Sequence, residues 1–263
     1  MPPYKNPFKI REFLESNTAL TEVLDFVTIL GILMLSFSLI GLVGYPTLKN
    51  AQEARYIENT RQSFVVMSEN INKVAFGEAP SQSVEMKMYG GTLGINGGSM
   101  INITANVTNQ TMVERMVLYH GPLGSIENSI GDTMVAYEGT GVWIKHPNDV
   151  ISMSSKPFIT YQDNVLIVPI VFMNGISSTG GVGMSRIMVC PDRPCSPRLL
   201  FYANASNITI TITSKYASGW EYYFRNILKL DVQSSSGAVA GSLNSTKNID
   251  IYLLDSQLYT VIK

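Results

Sequence analysis

The sequence has few of the residues that most enzymes use for acid–base or nucleophilic chemistry. Only His120 and His146 are histidines, only two residues are cysteines, and there is neither an HExxH motif nor a G-x-S-x-G turn. Without them the usual pairings of nucleophile and base cannot be assembled from recognisable motifs. We therefore predict no catalytic residue, no cofactor and no metal site. The remaining candidates are acids that we place in turns, where acids are common in any β domain: Glu127, Asp132, Asp149 and Asp163.

Charged residues are also scarce. They make up 15% of the chain and leave a formal net charge of -1, with an isoelectric point near 6.1 and a mean hydropathy of +0.13. A domain that binds nucleic acid usually has a basic patch or an isoelectric point above about 9. The composition therefore excludes nucleic acid as a partner and favours a domain anchored in a membrane.

One long run, Phe26 to Tyr45, has no charged residue. A helix of this length rises about 30 Å, which matches the hydrocarbon thickness of a bilayer. A cleaved signal peptide is the alternative, because Lys5, Lys9 and Arg11 precede the run. Signal peptides usually have a shorter apolar region that ends in small residues at a cleavage site. We therefore expect a retained transmembrane span in contact with membrane lipid.

The residues after this span predict an amphipathic helix. From Thr47 to Val74 apolar residues recur at spacings of three, four and seven, with charged residues between them. Pro46 separates the two parts, and we expect it to bend a nearly continuous helix or to separate two helices. The helix is predicted to end near Gly77, ahead of Pro80. Residues 18–77 thus form the N-terminal helix, and 1–17 form a leader or cytoplasmic segment.

Beyond Pro80 the pattern changes to short segments of alternating apolar residues bounded by turns, which predicts β-strands. One late helix is predicted at Ser218–Leu228, and the glycine-rich Ser177–Ser185 is predicted to be a flexible loop. The fold class is therefore α+β: a long N-terminal helix, half transmembrane and half amphipathic, then a β-rich, sandwich-like extracellular domain at 81–263 with one late helix. The predicted strands are Val84–Tyr89, Met100–Val107, Met112–His120, Thr133–Gly139, Val142–His146, Pro157–Gln162, Leu166–Met173, Arg186–Cys190, Leu199–Ala203, Ile208–Ser214 and Ile249–Leu254.

Six N-x-[S/T] sequons follow the apolar run, none with proline in the middle position. Such sites matter only outside the cytoplasm, although Asn, Ser and Thr are also common in strands and turns. Basic residues before the span favour a cytoplasmic N-terminus. Both observations predict a single-pass protein of the cell membrane with its C-terminal domain outside. The candidate glycosylation sites are Asn102, Asn106, Asn109, Asn204, Asn207 and Asn244.

The two cysteines lie close together. Cys190 and Cys195 enclose Pro-Asp-Arg-Pro, a turn-forming sequence between two predicted strands. We prefer a disulfide that closes this small loop. A metal site is the alternative, but it would need about four ligands, and the only acid nearby is Asp192.

The segment Thr18–Gly44 resembles the N-terminus of archaeal type IV pilins and related pilin-like surface proteins. In that family a short basic leader precedes a small residue and, a few residues later, an acid or proline. An apolar helix follows, which serves first as a membrane anchor and later as the packing core of a filament. The order of later segments, with sequon-bearing strands before SGWEYYFRNIL, is also similar to a large archaeal branch of that group.

This resemblance implies cleavage before Thr18 or Ala19 by a prepilin peptidase. Glu22 would be the fifth residue of a mature chain that begins at Thr18, where the family's acid neutralises or registers the N-terminus of a neighbouring subunit. Asn17 stands at the position before the cleavage point, where the family has a basic residue or glycine.

The expected function is that of a non-enzymatic, pilin-like structural protein of the cell surface. Its apolar helix would anchor the chain and assemble with further copies, or with other pilin subunits, on an assembly platform to form an extracellular filament. Its β domain would serve adhesion or surface display. The alternative is a membrane-tethered, ligand-binding ectodomain that does not polymerise. Such a tether would be extracted by detergent as a monomer, whereas a filament subunit would leave the cell with sheared filaments.

Overall fold

The fold was analysed in a computed structural model, which describes residues 8–263 except for 110, 111, 176, 194, 195 and 245–247; side chains are described from Leu20 onward, apart from Asn109. The chain forms two compact units, Met1–Ala54 and Arg55–Lys263. The predicted fold class is confirmed. A long apolar N-terminal helix precedes a large, mainly antiparallel β domain with one short late helix.

The N-terminal region is helical throughout its described length. Helix α1 (Phe8–Leu39) passes through a π-helical turn at Ile40–Gly44 into helix α2 (Tyr45–Ala75). Pro46 is the second residue of α2 and does not interrupt the helix. The turn before it is wider, because the Tyr45 N–H bonds to the Ile40 carbonyl, five residues back. Proline lacks an N–H, and its ring crowds the carbonyl four residues before it. That carbonyl lies within Ile40–Gly44, so the π-helical turn is found where the proline ring crowds the backbone.

The β domain contains twelve strands within the described residues. The late helix α3 (Ala217–Tyr222) continues as a second π-helical turn, Tyr223–Ile227. The strands are β1 (Gln82–Asn109), β2 (Met112–Ile130), β3 (Thr133–Glu138), β4 (Gly141–Lys145), β5 (Ile151–Ser155), β6 (Thr160–Gln162), β7 (Val165–Asn174), β8 (Ser178–Pro191), β9 (Arg198–Thr213), β10 (Asp231–Ser235), β11 (Ala238–Leu243) and β12 (Ile249–Ile262).

All of these strands belong to one hydrogen-bonded sheet. Its main order is β10-β11-β9-β12-β8-β1-β2-β3-β4-β5, with β7 added parallel to β12 and β6 added to β7. The first half of β1 pairs with β8 and its second half with β9, and β12 likewise pairs with both β8 and β9. The circuit β1-β8-β12-β9-β1 therefore closes on itself, so these strands hydrogen-bond to neighbours on both sides.

Two hydrophobic cores lie on opposite faces of β3 and β4. Trp143 belongs to the core beneath α3, together with Trp220 and Phe224. Its neighbours Val142 and Ile144 belong to a second core, which contains the end of α2. Successive side chains of a strand point to opposite faces, so β4 is buried on both sides. We call these the α3 core and the α2 core.

Most predicted strands are confirmed, but Ser177–Ser185 is not the flexible loop that we predicted. It forms most of the first half of β8, where Gly180 pairs with Thr92 and Gly183 with Met88. Glycines and serines carry little strand signal of their own, and here the neighbouring β1 supplies the hydrogen bonds. Strands β5, β10 and β11 were missed for the same reason, because they are short and rich in serine, alanine and glycine.

The α2 core yields a stability prediction. Phe64 is 0% exposed, whereas Val66, two residues later on the same helix, is 53% exposed. Phe64→Ala should lower the free energy of unfolding by about 3 to 5 kcal/mol, because it leaves a cavity in packed surroundings. Val66→Ala should change it by no more than about 0.5 kcal/mol. Urea denaturation of the detergent-solubilised chain, followed by tryptophan fluorescence, measures both; equal midpoints would contradict the prediction.

Candidate functional site

The largest exposed apolar surface belongs to the helix between Leu20 and Leu48. Its large apolar side chains are 43% to 76% exposed, and no charged residue occurs between Asp25 and Lys49. The helix from Leu20 to Ala75 is long and apolar enough to cross a membrane; its most apolar window has a mean hydropathy of 2.5, with none of it buried. We call residues 20–48 the anchor surface.

Three hydroxyl groups on the anchor surface are bonded within the helix. Thr28, Ser36 and Thr47 each donate a hydrogen bond to the carbonyl four residues back, at 2.7, 2.8 and 2.6 Å. In hydrocarbon an unbonded hydroxyl would be costly, because no water is present to satisfy it. At these three positions the helix itself therefore satisfies the hydroxyl group.

The predicted processing and assembly residues lie at the start of this surface. Helix α1 continues through Thr18 and Ala19 without a break, and their side chains lie outside the described residues. Glu22 and Asp25 are exposed on the helix, one turn apart. The acids therefore lie at the boundary of the uncharged run, where a charge costs little if it remains at the membrane interface.

At its other end the helix is fixed inside the β domain by buried polar contacts as well as by packing. Asn72 donates a hydrogen bond to the Thr140 carbonyl at 3.1 Å and accepts one from the Tyr137 hydroxyl at 2.8 Å. Ser256 donates to the carbonyl of Ala75, the last residue of α2. These contacts satisfy buried polar groups and fix how the helix end is seated on the sheet.

A buried carboxylate, Glu138 at the end of β3, is 0% exposed. It accepts hydrogen bonds from the Ser99 hydroxyl, from the Ser214 hydroxyl at 2.7 Å and from Trp220 Nε1 at 2.9 Å. Its carbonyl accepts a further bond from Trp143 Nε1 at 3.0 Å. We call these residues the Glu138 cluster. Sequence reasoning missed it; the available signal was a single acid in the otherwise apolar strand TMVAYEG.

Burial raises the pKa of the Glu138 carboxyl above its ordinary value. Its three side-chain hydrogen bonds lower the pKa and the nearby Glu127 raises it, but burial is the largest cause. Glu127 itself was predicted to lie in a turn and is in β2 instead. Its carboxylate accepts bonds from Ser125 at 2.8 Å, from the Tyr216 hydroxyl at 3.0 Å and from Lys215. Both carboxylates hold elements of the domain together, and Glu138 has no exposed surface that a substrate could reach.

A polar cleft of about 440 Å³ lies beside α3 and the β10–β11 turn. Its cations are already paired: Lys145 contacts Asp149 at 2.9 Å, and Lys215 contacts Glu127. Within the described part of the chain, no group of three or more His, Cys, Asp and Glu side chains could hold a metal ion.

The candidate glycosylation sites differ in how exposed their side chains are. Asn204, Asn207 and Asn244 are exposed, whereas Asn102 and Asn106 are half-buried in the sheet. The side chain of Asn109 lies outside the described residues.

Cys190 lies at the end of β8, with its Sγ 3.9 Å from the Tyr259 carbonyl oxygen. Cys195 lies outside the described residues. The disulfide between them stays a prediction.

Comparison with known proteins gives a family but no activity. A family of unknown function, DUF7289, matches residues 19–252. The chain belongs to this family. An uncharacterized protein of Archaeoglobus fulgidus is 30% identical over 112 residues, which is 43% of this chain and 35% of the relative. The chain thus spans about a third of this curated relative. No solved structure matches the chain.

The raised pKa of Glu138 predicts an unusual pH dependence. The folded state holds the Glu138 proton more tightly than the unfolded state, whose glutamates titrate near pH 4.3. The contribution of this group to stability is therefore greatest below about pH 4.3 and falls, by at most about 1.4 kcal/mol per pH unit, as the pH rises to the folded pKa.

Glu138→Gln removes this titration. The unfolding free energy of the wild type, taken relative to that of Glu138→Gln, should therefore fall as the pH rises from 4 to 8, as measured by urea denaturation at a series of pH values. Glu114→Gln, a change at an exposed acid in β2, is the control and should stay within about 0.5 kcal/mol of the wild type. Parallel curves for the wild type and Glu138→Gln would contradict a raised pKa.

Proposed function

We propose that this chain is a non-enzymatic, pilin-like protein of the cell surface, anchored by the helix that carries the anchor surface. The observation that carries the proposal is the change in burial along one helix. Apolar side chains from Leu20 to Leu48 are exposed, whereas Phe64, Met67 and Ile71 are 0% to 1% exposed. A helix whose end is built into a folded domain, and whose beginning is an uncovered apolar rod, needs hydrocarbon or other helices around that rod.

The anchor surface is suited to both environments. Its uncharged length from Phe26 to Leu48 corresponds to about 34 Å of helix, enough to cross a bilayer. Gly31 and Gly41 have no atoms within 4 Å of the position that a Cβ would take. Small residues of this kind allow two helices to approach closely in an apolar medium. The rod can therefore serve first as a span and then as the packed centre of an assembly.

The proposed orientation places the β domain outside the cell, and the basic residues before the span on the cytoplasmic side. In this arrangement the domain provides the surface for adhesion or display, and a prepilin peptidase and an assembly platform are the partners of the helix. A tethered ectodomain that stays monomeric is the competing function, and the state of the N-terminus distinguishes it.

Mapping the mature N-terminus tests this proposal. Mass spectrometry would be applied to protein from native membranes and to material sheared from the cell surface. A pilin-like subunit should begin at Thr18 or Ala19 and should be present in the sheared fraction. A chain that begins at Met1 or Pro2 and stays wholly in the membrane fraction would overturn the filament role and favour the tether.

Glu22 provides a second, independent test. If its carboxylate pairs with the N-terminus of a neighbour inside a helix bundle, loss of one partner would cost on the order of 3 to 5 kcal/mol. Glu22→Ala should therefore strongly reduce the yield of sheared filaments, while tryptophan fluorescence reports a folded β domain. Glu69→Ala changes an exposed acid of α2 beyond the uncharged run and should leave the yield unchanged. Equal yields from both variants would contradict the role of Glu22.

A further inference from the structure

Four sequons from three distant parts of the sequence meet at one end of the sheet. The register of β1 and β9 sets Asn106 opposite Ser206, and that of β9 and β11 sets Leu243 opposite Ile208. Continuing the pairing of β9 and β11 by one residue places Asn244 beside Asn207. Neighbouring strands are separated by about 5 Å. Asn204 lies two residues before Ser206 on the same strand. We call Asn106, Asn204, Asn207 and Asn244 the sequon end.

Two of these asparagines leave the regular alternation of β9. Asn204 and Asn207 have positive φ angles of 55° and 49°. Each lies at a shift of the strand register, the first between β9 and β12 and the second between β9 and β1. A bulge of this kind re-aims the side chain, and both amides are exposed, as is that of Asn244.

Backbone conformation alone explains asparagine at these positions, because asparagine tolerates positive φ. It does not explain the hydroxyl residues that complete the sequons. The Ser206 hydroxyl lies two positions after Asn204 and the Thr209 hydroxyl two positions after Asn207. Neither hydroxyl is needed to stabilise a positive φ at the asparagine, although that of Thr209 also accepts a hydrogen bond from Arg115 at 3.2 Å.

Asn102 shows the opposite arrangement. It lies in the middle of the sheet, where β1 pairs with His120 of β2 on one side and with Thr211 of β9 on the other. Its Oδ1 is buried and has no hydrogen-bond partner among the described residues. An amide held against the sheet in this way leaves little room for a large substituent on its nitrogen.

We propose that the sequon end carries N-linked oligosaccharides at Asn204, Asn207 and Asn244, and that Asn102 is unmodified. The proposal rests on the proposed export of the domain, because sequons matter only outside the cytoplasm. In the reaction, the asparagine amide nitrogen bonds to the anomeric carbon of an oligosaccharide and loses one proton. The bond from that carbon to the phosphate of a lipid carrier breaks, and the lipid phosphate leaves with the electron pair.

Oligosaccharides at these positions would keep one end of the β domain in solvent. Contacts with a surface or with neighbouring copies would then use other faces of the domain. The proposal thus identifies which end of the domain is hydrophilic and bulky.

Glycopeptide mass spectrometry of the full chain, isolated from its native host, tests the assignment. Peptides that contain Asn204, Asn207 and Asn244 should carry oligosaccharide, and the peptide that contains Asn102 should have its unmodified mass. Unmodified asparagine at all three exposed positions, or modification confined to Asn102, would overturn the proposal.

Matched variants distinguish the effect of the complete sequon from the effect of the asparagine alone. Ser206→Ala destroys the sequon of Asn204 but keeps asparagine at its positive φ, whereas Ser206→Thr preserves the sequon. The Ala variant should lose the mass of one oligosaccharide and the Thr variant should not. Thr246→Ala and Thr246→Ser form the same pair for Asn244. Equal masses within either pair would show that the asparagine in question is not modified.

A labelling experiment distinguishes failure of this proposal from failure of the proposed location. Lys156 and Lys229 are exposed in the β domain and should react with a membrane-impermeant amine reagent on intact cells. Labelled lysines with unmodified asparagines would overturn the glycosylation proposal and leave export intact. Unlabelled lysines with unmodified asparagines would overturn both.

Discussion

Burial of the end of helix α2 inside the β domain is the constraint on which the rest of the structure depends. Phe64, Met67 and Ile71 fill the α2 core against β1, β8 and β12, and each is at most 1% exposed. Because the backbone is helical without interruption from Leu20 to Ala75, the element that completes this core also carries the anchor surface. The helix that completes the α2 core is therefore the same helix that is long and apolar enough to cross a membrane.

The Glu138 cluster joins several elements of the domain on the other side of β3. A buried carboxylate without a cation would be strongly destabilising unless its oxygens were satisfied, and here Ser99, Ser214 and Trp220 donate to them. These donors come from β1, from the residue after β9 and from α3, so the cluster fixes three elements relative to β3.

Much of the fold could be predicted from local patterns. The uncharged run, the helical spacing of Thr47 to Val74 and the alternating strands each depend on a periodicity that neighbouring residues reveal by themselves. The first half of β8 could not be predicted, because its glycines and serines form a strand only through hydrogen bonds to β1. Of the candidate site, the apolar span was predictable and the Glu138 cluster was not, since its members are up to 121 residues apart, from Ser99 to Trp220.

The sequence by itself determined the lengths and polarity of the elements: an apolar helix of bilayer length, an amphipathic continuation, a set of strands and six sequons. Only the tertiary structure decided which residues meet. It buried Glu138, it seated α2 through Asn72 on Tyr137 and Thr140, and it brought Asn106, Asn207 and Asn244 to one end of the sheet. The physical reason is that polarity and periodicity act over a few neighbouring residues, whereas strand register joins segments more than a hundred residues apart and leaves no local trace.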